Sequence, residues 1–257
     1  WSAGAVVERG GLTATVDYWS IDIDDQIVAE GVAGLVAAVF GPGAGPATPG
    51  NCASPFASRF TFSGGPAGGG CGALTPALGQ VVRARTDIVN GADVKTTGID
   101  FLVQYSHELT SAFSFTVGSS GTYVLSYDVA AYIQQGIVLQ PALEAAGKLN
   151  FQTSAYPISR FRGQAWIDAS WRQHDWRLAG NYVHGYTDER PPALRIPAFY
   201  TIDFSWNLTL PNDLALNFTV FNLTDKEPGF ARLDLNYDPF TANPLGRHFS
   251  FGVRKTF

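Results

Sequence analysis

The sequence predicts an all-β protein, the wall of a transmembrane antiparallel β-barrel: about nine strands, short periplasmic turns and long extracellular loops. Three observations carry that expectation. Stretches of strand length alternate apolar and polar residues, so each strand has two unlike faces. The connections alternate short and long, a habit of outer-membrane barrels that a sandwich has no reason to share. Charged residues make up 15% of the chain, against the ~25% usual in soluble domains, while mean hydropathy is only +0.02.

No apolar run reaches the ~20 residues of a spanning helix. The nearest, Ile27–Phe40, is too short and holds Glu30, Gly31 and Gly34. Backbone groups in lipid must all be paired, which leaves a closed barrel as the spanning architecture. The net charge of −5 and the lack of a Lys/Arg cluster argue against a nucleic-acid partner. The chain starts at Trp1 and contains no Met. An odd strand count departs from the even numbers of bacterial single-chain barrels, so further strands are expected upstream.

The elements follow in order. Trp1–Val7 reads as a strand and Glu8–Gly11 as a turn. In Leu12–Asp22, Leu12, Ala14, Val16 and Tyr18 oppose Thr13, Thr15, Asp17 and Trp19. Beyond Tyr18, Ile21 and Ile23 fall on the polar side, so a bulge or the membrane edge is expected there. Asp25–Gln80 reads as a long irregular loop, rich in Gly and Pro at 41–46 and in Gly at 64–72. Val81–Ser106 is extended, and His107–Ser111 a turn. Phe113–Tyr127 is a strand. Asp128–Pro157 is a loop with a helical turn expected near Pro141–Gly147.

Phe161–Arg172 places Ala165, Ile167, Ala169 and Trp171 opposite Arg162, Gln164, Asp168 and Ser170. The turn Gln173–Asp175 leads into Trp176–Thr187, and Asp188–Pro197 is a loop. Tyr200–Leu210 alternates almost without a break: Tyr200, Ile202, Phe204, Trp206, Leu208 and Leu210 against Thr201, Asp203, Ser205, Asn207 and Thr209. After the turn Pro211–Asp213 the pattern resumes through Phe221. Asn222–Gly246 is a loop, and Arg247–Phe257 a last strand ending on an aromatic residue. Trp171, Trp176, Tyr105 and Phe113 flank the short turns, while Tyr123, Tyr127, Tyr182, Tyr186 and Tyr200 lie towards the long loops, as two aromatic girdles would.

Four stretches resemble a known family. LTATVDYWSIDIDDQI at Leu12–Ile27 is similar to its D-Y-x-x-I-x-I-x-D-x-I strand, and IVNGADVKTTGIDFLVQY at Ile88–Tyr105 to its strand with V-N and a later G-x-D/E. FNLTDK at Phe221–Lys226 and GRHFSFGVRKTF at Gly246–Phe257 resemble its x-N-L-x-D-K and terminal segments. Together, in this order, they resemble the C-terminal half of a TonB-dependent outer-membrane receptor. The resemblance implies a 22-stranded barrel in the cell outer membrane and an N-terminal plug domain with no counterpart in residues 1–257. It implies uptake of a scarce ligand through a periplasmic TonB-type energy coupler. Iron–siderophore complexes are the foremost expectation, with cobalamin and oligosaccharides also handled by the family. It implies no enzymatic activity and no cofactor. Gly252 and Phe257 resemble the assembly signal of outer-membrane proteins. Lys255 departs from it, although a Lys at the interface can snorkel. The rival readings are a passive porin-like barrel and a secreted soluble carbohydrate-binding β-domain.

The candidate sites each have a plainer reading beside the functional one. Cys52 and Cys71 share one loop and suggest a disulfide; closing about 20 residues contributes ~3 kcal/mol on the chain-entropy model. Metal binding by two cysteines without a nearby His is the weaker option. Phe56, Phe60 and Phe62 offer either a ligand surface or packing for the loop. Asp22, Asp24 and Asp25 lack the glycine and distal Glu of a calcium loop and read as a solvated strand end. Asn207, Asn217 and Asn222 match a glycosylation pattern as by-products of strand alternation. His107, His174, His184 and His248 are scattered, and no Ser/His/Asp set falls on one face. Arg162, Gln164, Asp168, Arg172, Arg177, Asn181, Asp203, Asn207 and Asn217 are expected on the inward faces, where hydrogen bonding to a plug or to water is the plain role. Of these, Arg162, Gln164 and Asp203 are the candidates for ligand contact, with Tyr132, Tyr186, Tyr237 and Phe240 in the loops, where binding residues concentrate.

Overall fold

A computed structural model describes residues 1–43, 50–51, 53–62 and 81–256. Among them nine wall strands form one antiparallel meander in strict chain order: β1 (Ser2–Arg9), β2 (Leu12–Ile23), β3 (Val94–Thr110), β4 (Phe113–Val129), β5 (Phe161–Trp171), β6 (His174–Val183), β7 (Phe199–Leu210), β8 (Leu214–Phe221) and β9 (His248–Lys255). β1 and β9 are the two edges of this open sheet. A two-residue strand, Leu143–Glu144, adds to the end of β4.

The short turns all lie at one end. Gly10 and Gly11 turn β1 into β2 at positive φ, where glycine meets no Cβ penalty. Ser111 and Ala112 join β3 to β4, Arg172 and Gln173 join β5 to β6, and Pro211–Asp213 join β7 to β8. At the other end the chain runs through the long connections 24–93, 130–160, 184–198 and 222–247.

Register confirms the two faces. Gln164 stands opposite Asn181, Asp168 opposite Arg177, and Asn207 opposite Asn217, so these polar residues share one side of the sheet. Ile167 stands opposite Leu178 and Phe218 opposite Phe251 on the other side. That apolar side is open: Ile167, Leu178, Phe249, Phe251 and Val253 are exposed, Phe251 to 68%. Most of the buried apolar residues lie elsewhere, in three clusters at the long-loop end. One holds Leu35, Val39, Phe56, Phe60, Phe62 and Leu139, a second Ala92, Val94, Val129, Ala145 and Ala155, and a third Leu149, Tyr186, Ile196 and Ala231.

β3 and β4 run 17 residues each, where about 9–11 cross a bilayer. The ends of these strands at the long-loop side carry Val94 and Val129 into the second cluster.

Several expectations need correction. β2 pairs with β3 without interruption over its whole length, so no bulge follows Tyr18. Register shifts lie instead between β3 and β4, at Thr97/Gly98 and at Glu108/Thr110. His107 is in β3 and His174 in β6, because each turn closes with only two residues. β6 ends at Val183; Tyr186–Asp188 instead pairs with Leu194–Ile196 as a small hairpin of its own. The expected helical turn at Pro141–Gly147 is replaced by the strand Leu143–Glu144. The first long loop contains an unforeseen α-helix, α1 (Val32–Phe40). It has neither a side-chain N-cap nor an acidic first turn, and its apolar residues do not fall into one stripe, so the usual helix signals are missing. Its fit against strand Ile137–Gln140 depends on Gly34, where a Cβ would sit 2.0 Å from the Leu139 carbonyl oxygen.

Candidate functional site

The long-loop end is assembled by buried charge as well as by apolar packing. Asp188, on the Tyr186–Asp188 strand, is fully buried. Arg190 grips it with two N–H donors, Nε to Oδ1 at 2.9 Å and Nη2 to Oδ2 at 2.8 Å, and Arg232 adds Nε to Oδ2 at 2.7 Å. The arginines also donate to one another's carbonyl oxygens, at 2.6 and 2.7 Å. The Arg190 guanidinium lies 3.8 Å above the Phe151 ring. Hydrogen bonds from Arg190 first, and from Arg232, hold the Asp188 carboxyl well below the usual carboxylate range against the opposing effect of burial. Nearby, the buried Tyr186 hydroxyl donates to Asp238 Oδ2 and meets Thr241 Oγ1 at 2.9 Å. Burial, followed by that carboxylate, pushes the phenol upward, so it stays protonated. These two clusters tie the 186–196 hairpin to the 222–247 loop.

A two-lobed cleft opens among the loops. Its outer lobe, about 450 Å³, is lined by Gln26–Ala29, Leu149–Pro157, Leu233 and Phe240. The inner lobe, about 210 Å³, shares Val28, Ala29 and Phe151–Ser154 with the outer one and is also lined by Glu30, Gly34, Tyr132 and Gln140. Burial, then the Glu30 charge, raises the Tyr132 phenol while Arg59 opposes them, so Tyr132 remains a neutral hydroxyl. Phe240 also borders a hollow of about 470 Å³ with Asn181, Val183 and Thr201. Asn181 in turn borders one of about 510 Å³ with Asp100, Ser120, Thr122, Arg162 and Gln164. Shared lining residues thus link the loop cleft to the polar face of the sheet.

The expected site residues scatter over this arrangement. Arg162 and Gln164 lie side by side in the polar hollow. Asp203 is on the same face, but Asn181 Nδ2 reaches one of its oxygens at 2.9 Å and the Asn222 backbone N–H the other at 2.8 Å. It therefore fixes the start of the last loop. Tyr132 and Phe240 line the two lobes of one cleft. Phe240 is 61% exposed, and its ring rests 5.7 Å from Tyr156. Tyr237 is half-buried in the same loop. Tyr186 departs from expectation: it is 1% exposed and holds the loop together instead of presenting a surface. Phe56, Phe60 and Phe62 pack the α1 cluster. Arg172 stands in the turn, with its guanidinium 5.2 Å from the Trp171 ring centroid, not on the inward face. Gly252 pairs with Asn217 on the polar face, whereas Phe257, Cys52 and Cys71 lie outside the described residues.

Two contributors escaped the sequence reading. Trp166 opposes Ala179 on the polar face and lies under the Arg177 guanidinium at 5.4 Å. Its position in the alternation, two residues beyond Gln164, was the available signal. Glu30 had no comparable signal, because its partners Arg59 and Asp87 come from distant loop positions.

Comparison with known proteins agrees with this geometry. A family model described as TonB dependent receptor-like, beta-barrel, matches residues 1–223. No curated protein matches the chain. The ferric enterobactin receptor of Pseudomonas aeruginosa is similar in structure, with a TM-score of 0.52 at 14% identity, over 98% of this chain and 30% of the receptor. The FrpB iron transporter from Neisseria meningitidis is similar with a TM-score of 0.51 at 15% identity, over 98% and 29%. The siderophore receptor PirA from Acinetobacter baumannii is similar with a TM-score of 0.53 at 13% identity, over 97% and 30%. At such identities the likeness is one of fold, and the chain spans less than a third of each of these proteins. The family match and the nine-stranded, two-faced meander bear out the resemblance read from the motifs: the chain belongs to the TonB-dependent receptor-like β-barrel family.

Proposed function

We propose that residues 1–257 form barrel wall and extracellular loops of an outer-membrane receptor for active uptake of a scarce ligand. Iron–siderophore complexes are the leading ligand class. The observation that carries this reading is the series of hollows from the loop cleft to the polar wall, linked through Phe240 and Asn181, on a sheet whose other face is apolar and open. A ligand captured by the loops has polar groups to meet next, with Arg162 and Gln164 foremost. In this reading a plug domain is supplied by another part of the receptor, and a periplasmic TonB-type coupler drives transport. The chain performs no catalysis.

The test is uptake of radio-iron as ferric siderophores by a Gram-negative host stripped of its own receptors and expressing this one, with and without the coupler. Outer-membrane location and coupler-dependent uptake are expected. Coupler-independent entry would establish the passive porin, and a protein found soluble in the periplasm or medium would establish the secreted domain.

A further inference from the structure

The outer lobe of the cleft has an open apolar rim and an uncharged wall. Tyr156 and Phe240 are 70% and 61% exposed, and their rings lie 5.7 Å apart. Ile27, which lines the same lobe, is 75% exposed. These side chains are open to a molecule arriving from solvent, and apolar surface of this kind gains free energy when it is covered. Neutral polar groups accompany them: the side-chain amides of Gln26 and Gln152 have no hydrogen-bond partner among the described residues. Among the described residues, none that lines this lobe is Asp, Glu, Lys or Arg.

The charge around the cleft points the same way. The four long connections together hold twelve acidic and ten basic residues, and the stretches 31–58 and 60–82 hold neither. Six of the ten cations are held in ion pairs: Arg59 by Glu30, Arg85 by Asp87, Lys148 and Arg160 by Glu144, and Arg190 and Arg232 by Asp188. Arg190 touches one lining residue, Phe151, but its charge is answered by that buried carboxylate. Arg195, Lys226 and Arg247 are engaged by His184, the Tyr200 ring and the Leu223 carbonyl. In the hollow on the polar wall, Arg162 is accompanied by Asp100. The described loop residues therefore gather no positive charge at the cleft that is not already matched.

We infer that the outer lobe receives an uncharged iron chelate of the trishydroxamate type and discriminates against the triply negative triscatecholate type. Three hydroxamates, each singly deprotonated, balance the charge of a ferric ion; three catecholates, each doubly deprotonated, exceed it by three. A trianion would leave water for an apolar lobe that offers no counter-charge, and desolvating an unpaired charge is costly. The neutral chelate presents methylene arms to Tyr156, Phe240 and Ile27, and carbonyl oxygens to the amide N–H groups of Gln26 and Gln152. The inference deepens the uptake reading by choosing among iron chelates, and it rests on that reading for transport; binding at the cleft can be tested without it.

The first experiment titrates the full-length receptor in detergent, at low salt, with a neutral ferric trishydroxamate and with a ferric triscatecholate, and reads binding by calorimetry. The trishydroxamate is expected to bind at least about tenfold more tightly. Truncating both rings, Tyr156→Ala with Phe240→Ala, should weaken its binding by about tenfold while heat-modifiable migration of the barrel is retained. Tyr156→Phe, which keeps the apolar ring, should bind as the unaltered receptor does. Equal or tighter binding of the triscatecholate, no binding of either chelate, or an affinity indifferent to the double truncation overturns the inference. The second experiment follows coupler-dependent uptake of radio-iron from the same two chelates, with the trishydroxamate expected to enter faster. Uptake of the triscatecholate at an equal or greater rate overturns the inference and leaves the uptake reading standing. If the trishydroxamate binds at the cleft but neither chelate is taken up, the cleft assignment stands and the uptake reading fails.

Discussion

Asp188 and Tyr186 show at the scale of single residues how the loop end is held. Two guanidinium groups converge on a carboxylate with no exposure to water. Removing the negative charge leaves two cations without their counter-ion, so Asp188→Asn should cost on the order of 3 kcal/mol of local stability. The expected result is faster proteolysis within 222–247 with the barrel intact. The pH dependence follows from the sign of the shift. The Asp188 carboxyl is held below its ordinary value, so its contribution is complete above the unfolded value of about 4 and is lost as pH falls through the folded one. Protection of the loop should therefore be the same at neutral pH and at mildly acidic pH, and should decline only in strong acid. Tyr186→Phe removes the donor that serves the buried Asp238, a loss of about 1–3 kcal/mol. The same proteolysis assay should register it. None of these pairings was legible beforehand. Asp188 and Arg232 are 44 positions apart, and nothing local to either names the other.

At the scale of elements, the wall strands were largely legible and the loops were not. The alternation of β5 and β7 predicts which residues share the apolar face, and the register agrees. Ile167→Arg puts a cation on the apolar face, which costs about 2–4 kcal/mol at the bilayer midplane. Gln164→Arg, three residues earlier, changes only the polar face. The first should reduce the heat-resistant outer-membrane form and the second should leave it unchanged. Within the polar face, Gly118 makes room for Trp166: a Cβ there would lie 2.4 Å from the indole. Gly118→Ala is expected to destabilise by about 1–3 kcal/mol through overpacking. Adding Trp166→Ala should restore much of the loss, a non-additivity that a double-mutant cycle measures. By contrast, α1 and the 186–196 hairpin were missed. α1 is stabilised by Phe56, Phe60, Phe62 and Leu139, which lie well outside any window used to judge a helix.

The whole molecule turns the usual globular plan around. Its buried apolar clusters lie among the loops, and its largest regular surface is apolar and open. An exposed face of that kind has to be covered. The chain should therefore aggregate in buffer and stay dispersed, with a β-type circular dichroism spectrum, in detergent. A folded monomer without detergent would contradict the membrane reading. The sequence by itself determined the strand order, the two faces, the alternation of short turns with long loops, and the family. Each of these is written in neighbouring residues: a period of two needs only local chain geometry, and a meander pairs strands that follow one another. The tertiary structure alone decided the loop end: the buried Asp188 cluster, the helix, the cleft and the Glu30–Arg59 pair. Those features depend on contacts between distant segments, chosen by packing and charge in three dimensions, and no local pattern records such a choice.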